Sequence, residues 1–215
     1  MSRPTGRRPR KDVSLRRRTA VRAPKRTFLV FCEGTRTEPD YLEALRQEPA
    51  VRDSASVEIR IDRGASGAVP LTLVNRAAEA RGRIFQEQSE IDEVWCLFDV
   101  EWPQNHPKLR EAREKAKARN VSLAISNPCF ELWMVLHFEE RTAWLDSYTA
   151  RRLRCHHDGS SGKGLDGAKY MPRRTVAAKH ARALEVKHRG DETEFPDDNP
   201  SSGMYLLLEA IESNG

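Results

Sequence analysis

Two short apolar runs, each closed by an acid, constrain this chain more than any other feature. Thr27-Phe-Leu-Val-Phe-Cys32 carries no polar alternate and stops at Glu33-Gly34; Ile91-Asp-Glu-Val-Trp-Cys-Leu-Phe98 becomes equally apolar and stops at Asp99-Val100-Glu101. A β-rich run without a polar face reads as a strand covered on both sides, which is the situation in a parallel sheet between two helix layers. In such a sheet the carboxyl ends of the strands line one edge, and ligands bind there. The expectation is therefore an α/β fold: an open, mainly parallel, Rossmann-like sheet of about four strands with helices on both faces. If the two runs are neighbours, Glu33, Asp99 and Glu101 meet at that edge.

The remaining pattern fills in the layers. A helix is expected to open at Thr37-Glu38-Pro39-Asp40, with Thr37 as N-cap and Pro39 in the first turn. Ser56 to Ile61 alternates like a more exposed strand, and from Pro70 the residues Val74, Ala77, Ala78, Arg81, Ile84 and Phe85 recur at helical spacing. Residues 107–119 read as a charged helix with Leu109, Ala112 and Ala116 inside. Val121 to Ile125 reads as a further strand. Ser126-Asn127-Pro128 then suggests a helix start with Asn127 as cap, leading into a segment buried nearly all round, where His137 is expected to be a satisfied core histidine. Beyond Phe138 the periodicity weakens. Residues 154–168, polar and glycine-rich, read as a mobile loop, 173–188 as a helix, and 190–201 as a Pro/Asp-rich linker to an amphipathic helix from Ser202 to Ser213.

Charge divides the chain unevenly. Residues 1–26 hold 11 Lys/Arg against Asp12 alone, a balance of +10, so with a whole-chain charge of +5 the expected domain, 27–215, carries −5. The arm, with Arg7, Arg8, Arg10, Lys11, Arg16, Arg17 and Arg18, suits polyphosphate binding by counterion release, or serves as a disordered, solubilising extension. The four cysteines are far apart and form no C-x-x-C pair, so neither a disulfide framework nor a zinc ribbon is expected. No apolar stretch follows the basic start, and none approaches the roughly 20 residues that span a bilayer. A cytoplasmic protein without membrane contact is the expectation.

Clustered carboxylates raise each other's pKa through like charge and desolvation, and a hard divalent cation removes that penalty. Mg²⁺ or Mn²⁺ held by Glu33, Asp99 and Glu101 would polarise a phosphoryl oxygen while a carboxylate moves the proton. Acids at strand ends also simply cap helices or face water, and spacing alone leaves both readings open. Glu38, His106, Asn127 and Glu131 fall close enough in sequence to the same edge to be supporting or substrate-contacting residues. Gly159-Ser-Ser-Gly-Lys-Gly164 has the wrong spacing for a nucleotide phosphate loop, so no nucleotide cofactor is expected. Lys163 and Lys169 with Arg151, Arg152 and Arg154 could face phosphates or merely be solvated. Cys155-His-His-Asp158 is a weak metal signal.

Phe31-Cys-Glu33-Gly-Thr-Arg-Thr-Glu38-Pro-Asp-Tyr41, Val94-Trp-Cys-Leu-Phe-Asp99, Ser126-Asn-Pro-Cys-Phe-Glu131-Leu-Trp133 with Leu136-His-Phe138, and Asn199-Pro-Ser-Ser202 resemble, in order, the motifs of the RloB-like family over roughly residues 26–212. That family is grouped with Toprim-like domains, whose acidic positions fall here on Glu33, Asp99 and Glu101, the last where an Asp is usual. The resemblance implies a metal-dependent nuclease-like subunit acting on nucleic acid, DNA rather than RNA, with an AAA- or ABC-type ATPase encoded nearby, in antiviral defence by abortive infection. A non-catalytic nucleic-acid-binding subunit, or a regulatory sensor for such an ATPase, fits the same motifs.

Overall fold

β1 (Arg26–Cys32) lies inside a sheet of order β2-β1-β3-β4-β5, flanked by β2 (Val57–Arg63) and β3 (Glu93–Asp99), with β4 (Ser122–Asn127) beyond. The computed structural model describes residues 26–52, 57–63, 69–86, 91–160, 162 and 164–212. The first four strands run parallel, and β5 (Ser201–Ser202) adds two antiparallel residues on β4. This is the expected α/β architecture, an open and mostly parallel sheet. Its strand order reverses between β1 and β3, the position at which open α/β sheets take their ligands.

The absence of alternation in the two apolar runs has a direct cause. Phe28, Val30 and Cys32 of β1 and Trp95 and Leu97 of β3 pack into one core. It is shared with α1 (Thr37–Gln47), α5 (Glu131–Leu136), α8 (Arg174–Gly190) and α9 (Met204–Glu212). Phe31, Val94, Cys96 and Phe98 point the other way, into a second core with α3 (Pro70–Gln86) and α4 (Leu109–Ala118). Both faces are covered, so both side-chain sets are apolar. The charged α4 keeps Leu109, Ala112 and Ala116 inside as its stripe requires. Every residue of α5 is buried. His137 just beyond it is a satisfied core histidine, with Nδ1 2.8 Å from the Trp133 carbonyl and Nε2 3.2 Å from the Tyr41 hydroxyl. Burial pushes its pKa down to about 4.

Several local expectations are corrected. Thr37 is the first residue of α1 rather than its cap; Arg36 occupies that position without a side-chain bond. Phe85 is 86% exposed, and Leu73, Val74, Ala77 and Ala80 form the inner face of α3. Asn127 ends β4 instead of capping a helix, and α5 begins only at Glu131. Residues 154–168 are not one loop: α6 (Ser147–Asp158) includes the first of them and α7 (Gly167–Tyr170) the last. The linker 190–201 leads through turns into β5. The arm residues Arg7, Arg8, Arg10, Lys11, Arg16, Arg17 and Arg18, and Lys163 of the glycine-rich segment, lie outside the described residues. Cys96, Cys129 and Cys155 are free thiols. Among the described residues no helix is long and apolar enough to cross a membrane.

Candidate acidic site at the sheet edge

Cys32, the last residue of β1, pairs with Leu97, two residues before the end of β3, so both strands reach the same edge. The Glu33 N–H extends that ladder by one bond, donating to the Leu97 carbonyl at 3.0 Å. Its side chain then crosses to the neighbouring strand end, where Glu33 Oε2 accepts the backbone N–H of Asp99 at 3.0 Å. The other oxygen, Oε1, lies 2.8 Å from His106 Nε2, a close contact in which the ring N–H is not directed for a hydrogen bond.

Behind Glu33 the chain turns through Gly34, whose N–H donates to Glu38 Oε1 at 3.2 Å. A Cβ at position 34 would fall on the Glu38 carboxylate, which is why this turn takes glycine. Glu38 and Glu131, from the first turns of α1 and α5, are 7% and 8% exposed. Glu101 completes the group from a left-handed conformation, φ 64°. Such a backbone costs about 1–3 kcal/mol and persists only when its surroundings enforce it. Here the Glu101 N–H donates to the Pro128 carbonyl at 2.8 Å, the Val100 N–H donates to Ser126 at 2.9 Å, and the Ser147 hydroxyl donates to Glu101 Oε2 at 3.2 Å.

The electrostatics follow from this convergence. Burial raises the Glu33 pKa to about 7; the Asp99 N–H pulls it back and the charge of Glu101 adds to the rise. Glu38 is likewise raised to about 7 by burial, with Glu131 and Glu33 contributing. Asp99 is held well above the usual carboxylate range by burial and by the charges of Glu38, Glu131, Glu33 and Glu101. Desolvation lowers His106, partly offset by Glu101. Arg151 on α6 answers the cluster, with its Nε 3.8 Å from Glu131 Oε1. Burial works against its charge, yet Glu131, Cys129, Glu101 and Asp99 hold its pKa above the ordinary value.

Of the candidates read from sequence, Glu33, Asp99, Glu101, Glu38, Glu131 and His106 gather here. Asn127 does not join them: its amide donates to the Pro196 carbonyl at 2.9 Å and to Asp198 Oδ1 at 3.0 Å. Two of the other basic candidates have different employment: Arg154 is buried against Asp158 at 3.0 Å, and Lys169 Nζ donates to the Asp158 carbonyl. Arg152 stays exposed and lies over the Tyr148 ring. Asp158 is further held by Tyr170, so Cys155-His-His-Asp158 offers no open chelate. Among the described residues, no group of three or more His, Cys, Asp or Glu side chains stands ready-made to enclose a metal ion. A cavity of about 920 Å³, lined by Leu123, Phe195, Tyr205 and Leu206 among others, sits at the β4–β5 edge and includes none of these acids.

Sequence reasoning missed Ser147 and the helix that carries it. The usable signal was Asp146, a good N-cap whose side chain accepts the Thr149 N–H at 2.7 Å, with Gly159 closing the helix in the left-handed region. The Asn199 turn has a positioning role here too. Its side-chain amide makes two bonds with Leu145, accepting from its N–H at 3.2 Å and donating to its carbonyl at 2.9 Å. That fixes the segment from which Ser147 reaches Glu101.

Compared with known proteins, residues 28–211 match a family model described as RloB-like protein. No curated protein and no solved structure matches the chain.

Proposed function

This chain belongs to the RloB-like family, and from that membership and its acidic edge we propose that it is a Toprim-like, metal-dependent phosphodiesterase acting on nucleic acid in phage defence beside a partner ATPase. The observation that carries the reading is the Glu33–Asp99 junction: a carboxylate bonded across the switch point to the backbone of a second acid, facing the charges of three more. Buried carboxylates held this far above their usual range favour a state with an added cation.

The donors fit Mg²⁺ or Mn²⁺. All are hard oxygens, and Mg²⁺ takes one or two protein carboxylates while keeping several waters, so a three-ligand cage is not required. Asp99 and Glu101 would hold the ion, with the charge of Glu33 favouring it; when bound, it would neutralise charge developing on the phosphoryl and leaving oxygens. The protein's own part is positional and acid–base. Glu33, held at the edge by the Asp99 N–H, would accept the proton of an attacking water as the water oxygen bonds to phosphorus and the opposite P–O bond breaks. Glu131 and Glu38 would add negative charge favourable to the ion.

A second reading, a binding or sensor subunit without turnover, draws on Glu101. Its carboxylate is committed to Ser147, and it stands where an Asp is usual. One experiment separates the two. Purified protein is incubated with supercoiled plasmid and with single-stranded RNA, in Mn²⁺ or in EDTA. The enzyme reading expects Mn²⁺-dependent cleavage that is abolished by Glu33→Gln and by Asp99→Asn. Nucleic-acid binding without cleavage supports the second reading. Cleavage indifferent to both substitutions rejects this site.

A further inference from the structure

Beside the acidic site, the loop after β3, the segment leading into α6 and the first turn of α6 carry exposed aromatics. Trp102 directly follows Glu101, and its backbone N–H donates to Ser147 Oγ at 3.4 Å, the same hydroxyl that holds Glu101. The Trp102 ring meets that of Trp144 edge-on, with centroids 5.4 Å apart, yet the two residues remain 39% and 54% exposed. Tyr148, next to Ser147 on α6, is 68% exposed. Large aromatics left in water this way lose the burial that normally justifies them.

Helix geometry places cations beside them. Arg151 is four residues from Ser147 and so shares its side of α6, reaching Glu131 at 3.8 Å while its side chain stays 53% exposed. Arg152 is four residues from Tyr148 and lies over that ring at 5.8 Å. Flat π surfaces with adjacent guanidinium groups, bordering an acidic edge, match one ligand chemistry: unpaired bases on a phosphate backbone. A duplex keeps its bases stacked inside and offers no faces to these rings.

We propose that Trp102, Trp144 and Tyr148 form a stacking platform for single-stranded nucleic acid, with Arg151 and Arg152 against its phosphates, leading the strand to the acids at Glu33 and Asp99. The platform names the substrate class of the site proposed above and rests on that reading only for the chemistry; binding stands on its own. Stacking tolerates any base, so DNA and RNA strands share the required chemistry.

Tryptophan fluorescence tests this in the full chain. Of the four tryptophans, Trp95 and Trp133 are only 5% and 0% exposed, so quenching by an added strand reports on Trp102 and Trp144. Oligothymidylate, oligouridylate and a duplex of equal length are titrated in EDTA and in Ca²⁺, at a salt concentration that suppresses purely ionic binding. Either single strand should quench strongly and the duplex little, and whichever of the two binds tighter identifies the preferred sugar. Trp144→Ala and Tyr148→Ala should each weaken binding by roughly 5- to 150-fold, with unchanged circular dichroism showing that the fold is intact. Absence of quenching by both strands, equal quenching by the duplex, or undiminished binding by both folded variants overturns the platform, leaving the aromatics to a protein partner. Strands that bind but are never cut in Mn²⁺ leave the platform standing and reject the phosphodiesterase reading. Plasmid cleavage without strand-induced quenching does the reverse.

Discussion

Replacing Glu33 by Gln should make the metal-free protein more stable at pH 8, although it removes the residue most central to the site. Burial raises the Glu33 carboxyl from 4.5 to about 7, so in the fold it resists ionisation that proceeds freely in the unfolded chain. The sign follows from linkage. Below pH 4.5 both states are protonated and the group is neutral to stability. Between pH 4.5 and about 7 the unfolded state loses its proton first, and stability falls as pH rises. Above pH 7 the full cost is present, about 3 kcal/mol at roughly 1.4 kcal/mol per pH unit. Glutamine avoids this cost, and its carbonyl can still accept the Asp99 N–H that Glu33 takes at 3.0 Å. Imperfect amide packing offsets part of the benefit, leaving a net gain of about 1–3 kcal/mol at pH 8. Urea unfolding of both proteins at pH 4.5 and pH 8 in EDTA measures it: the gain appears at pH 8 and shrinks toward zero at pH 4.5. Millimolar Mg²⁺ should then stabilise the wild-type protein more than the variant, because ligand binding to the folded state adds to stability. A variant equal to or weaker than wild type at pH 8, or a gain of the same size at both pH values, would refute the argument from desolvation.

Three further outcomes follow from named contacts. Gly34→Ala places a Cβ on the Glu38 carboxylate and should lower Mn²⁺ affinity, read by calorimetry, by about 10-fold, within the range seen for residues that position metal ligands. Asp158→Ala leaves Arg154, itself 2% exposed, without its carboxylate, and should cost about 3–5 kcal/mol in urea unfolding. Asn199→Ala removes both bonds to Leu145 and should cost about 1–3 kcal/mol, with a fall in any Mn²⁺-dependent cleavage because the Ser147 support of Glu101 is loosened.

The sheet was legible because burial on both faces leaves its mark directly in composition. β1 and β3 send alternate residues into two different cores, so neither strand has room for a polar alternate. The acids were legible for the related reason that parallel strands end on a common edge. α6 was not, and its inner face explains why. It buries Ser147, Ala150, Arg154 and Asp158, a stripe in which a salt bridge replaces the apolar residues that periodicity detects. Asn127 was misread because Asn-Pro before an apolar run carries the signature of a helix start. Only the three-dimensional partners, Pro196 and Asp198, show that the side chain faces a turn far along the sequence. The aromatic face escaped notice for a similar reason: Trp102 and Trp144 are separated by more than forty positions and meet only through the fold.

The grip of Pro196 and Asp198 on Asn127 has a consequence for genetics. The strand end they hold is the one whose next carbonyl, at Pro128, receives the Glu101 N–H. A random-mutagenesis screen for lost activity should therefore return alleles in the 196–199 turn as well as at the acids. Such alleles would tempt the reader to map a separate effector surface there. They are better interpreted as lesions of the same centre, felt at a distance through one amide side chain and one peptide bond.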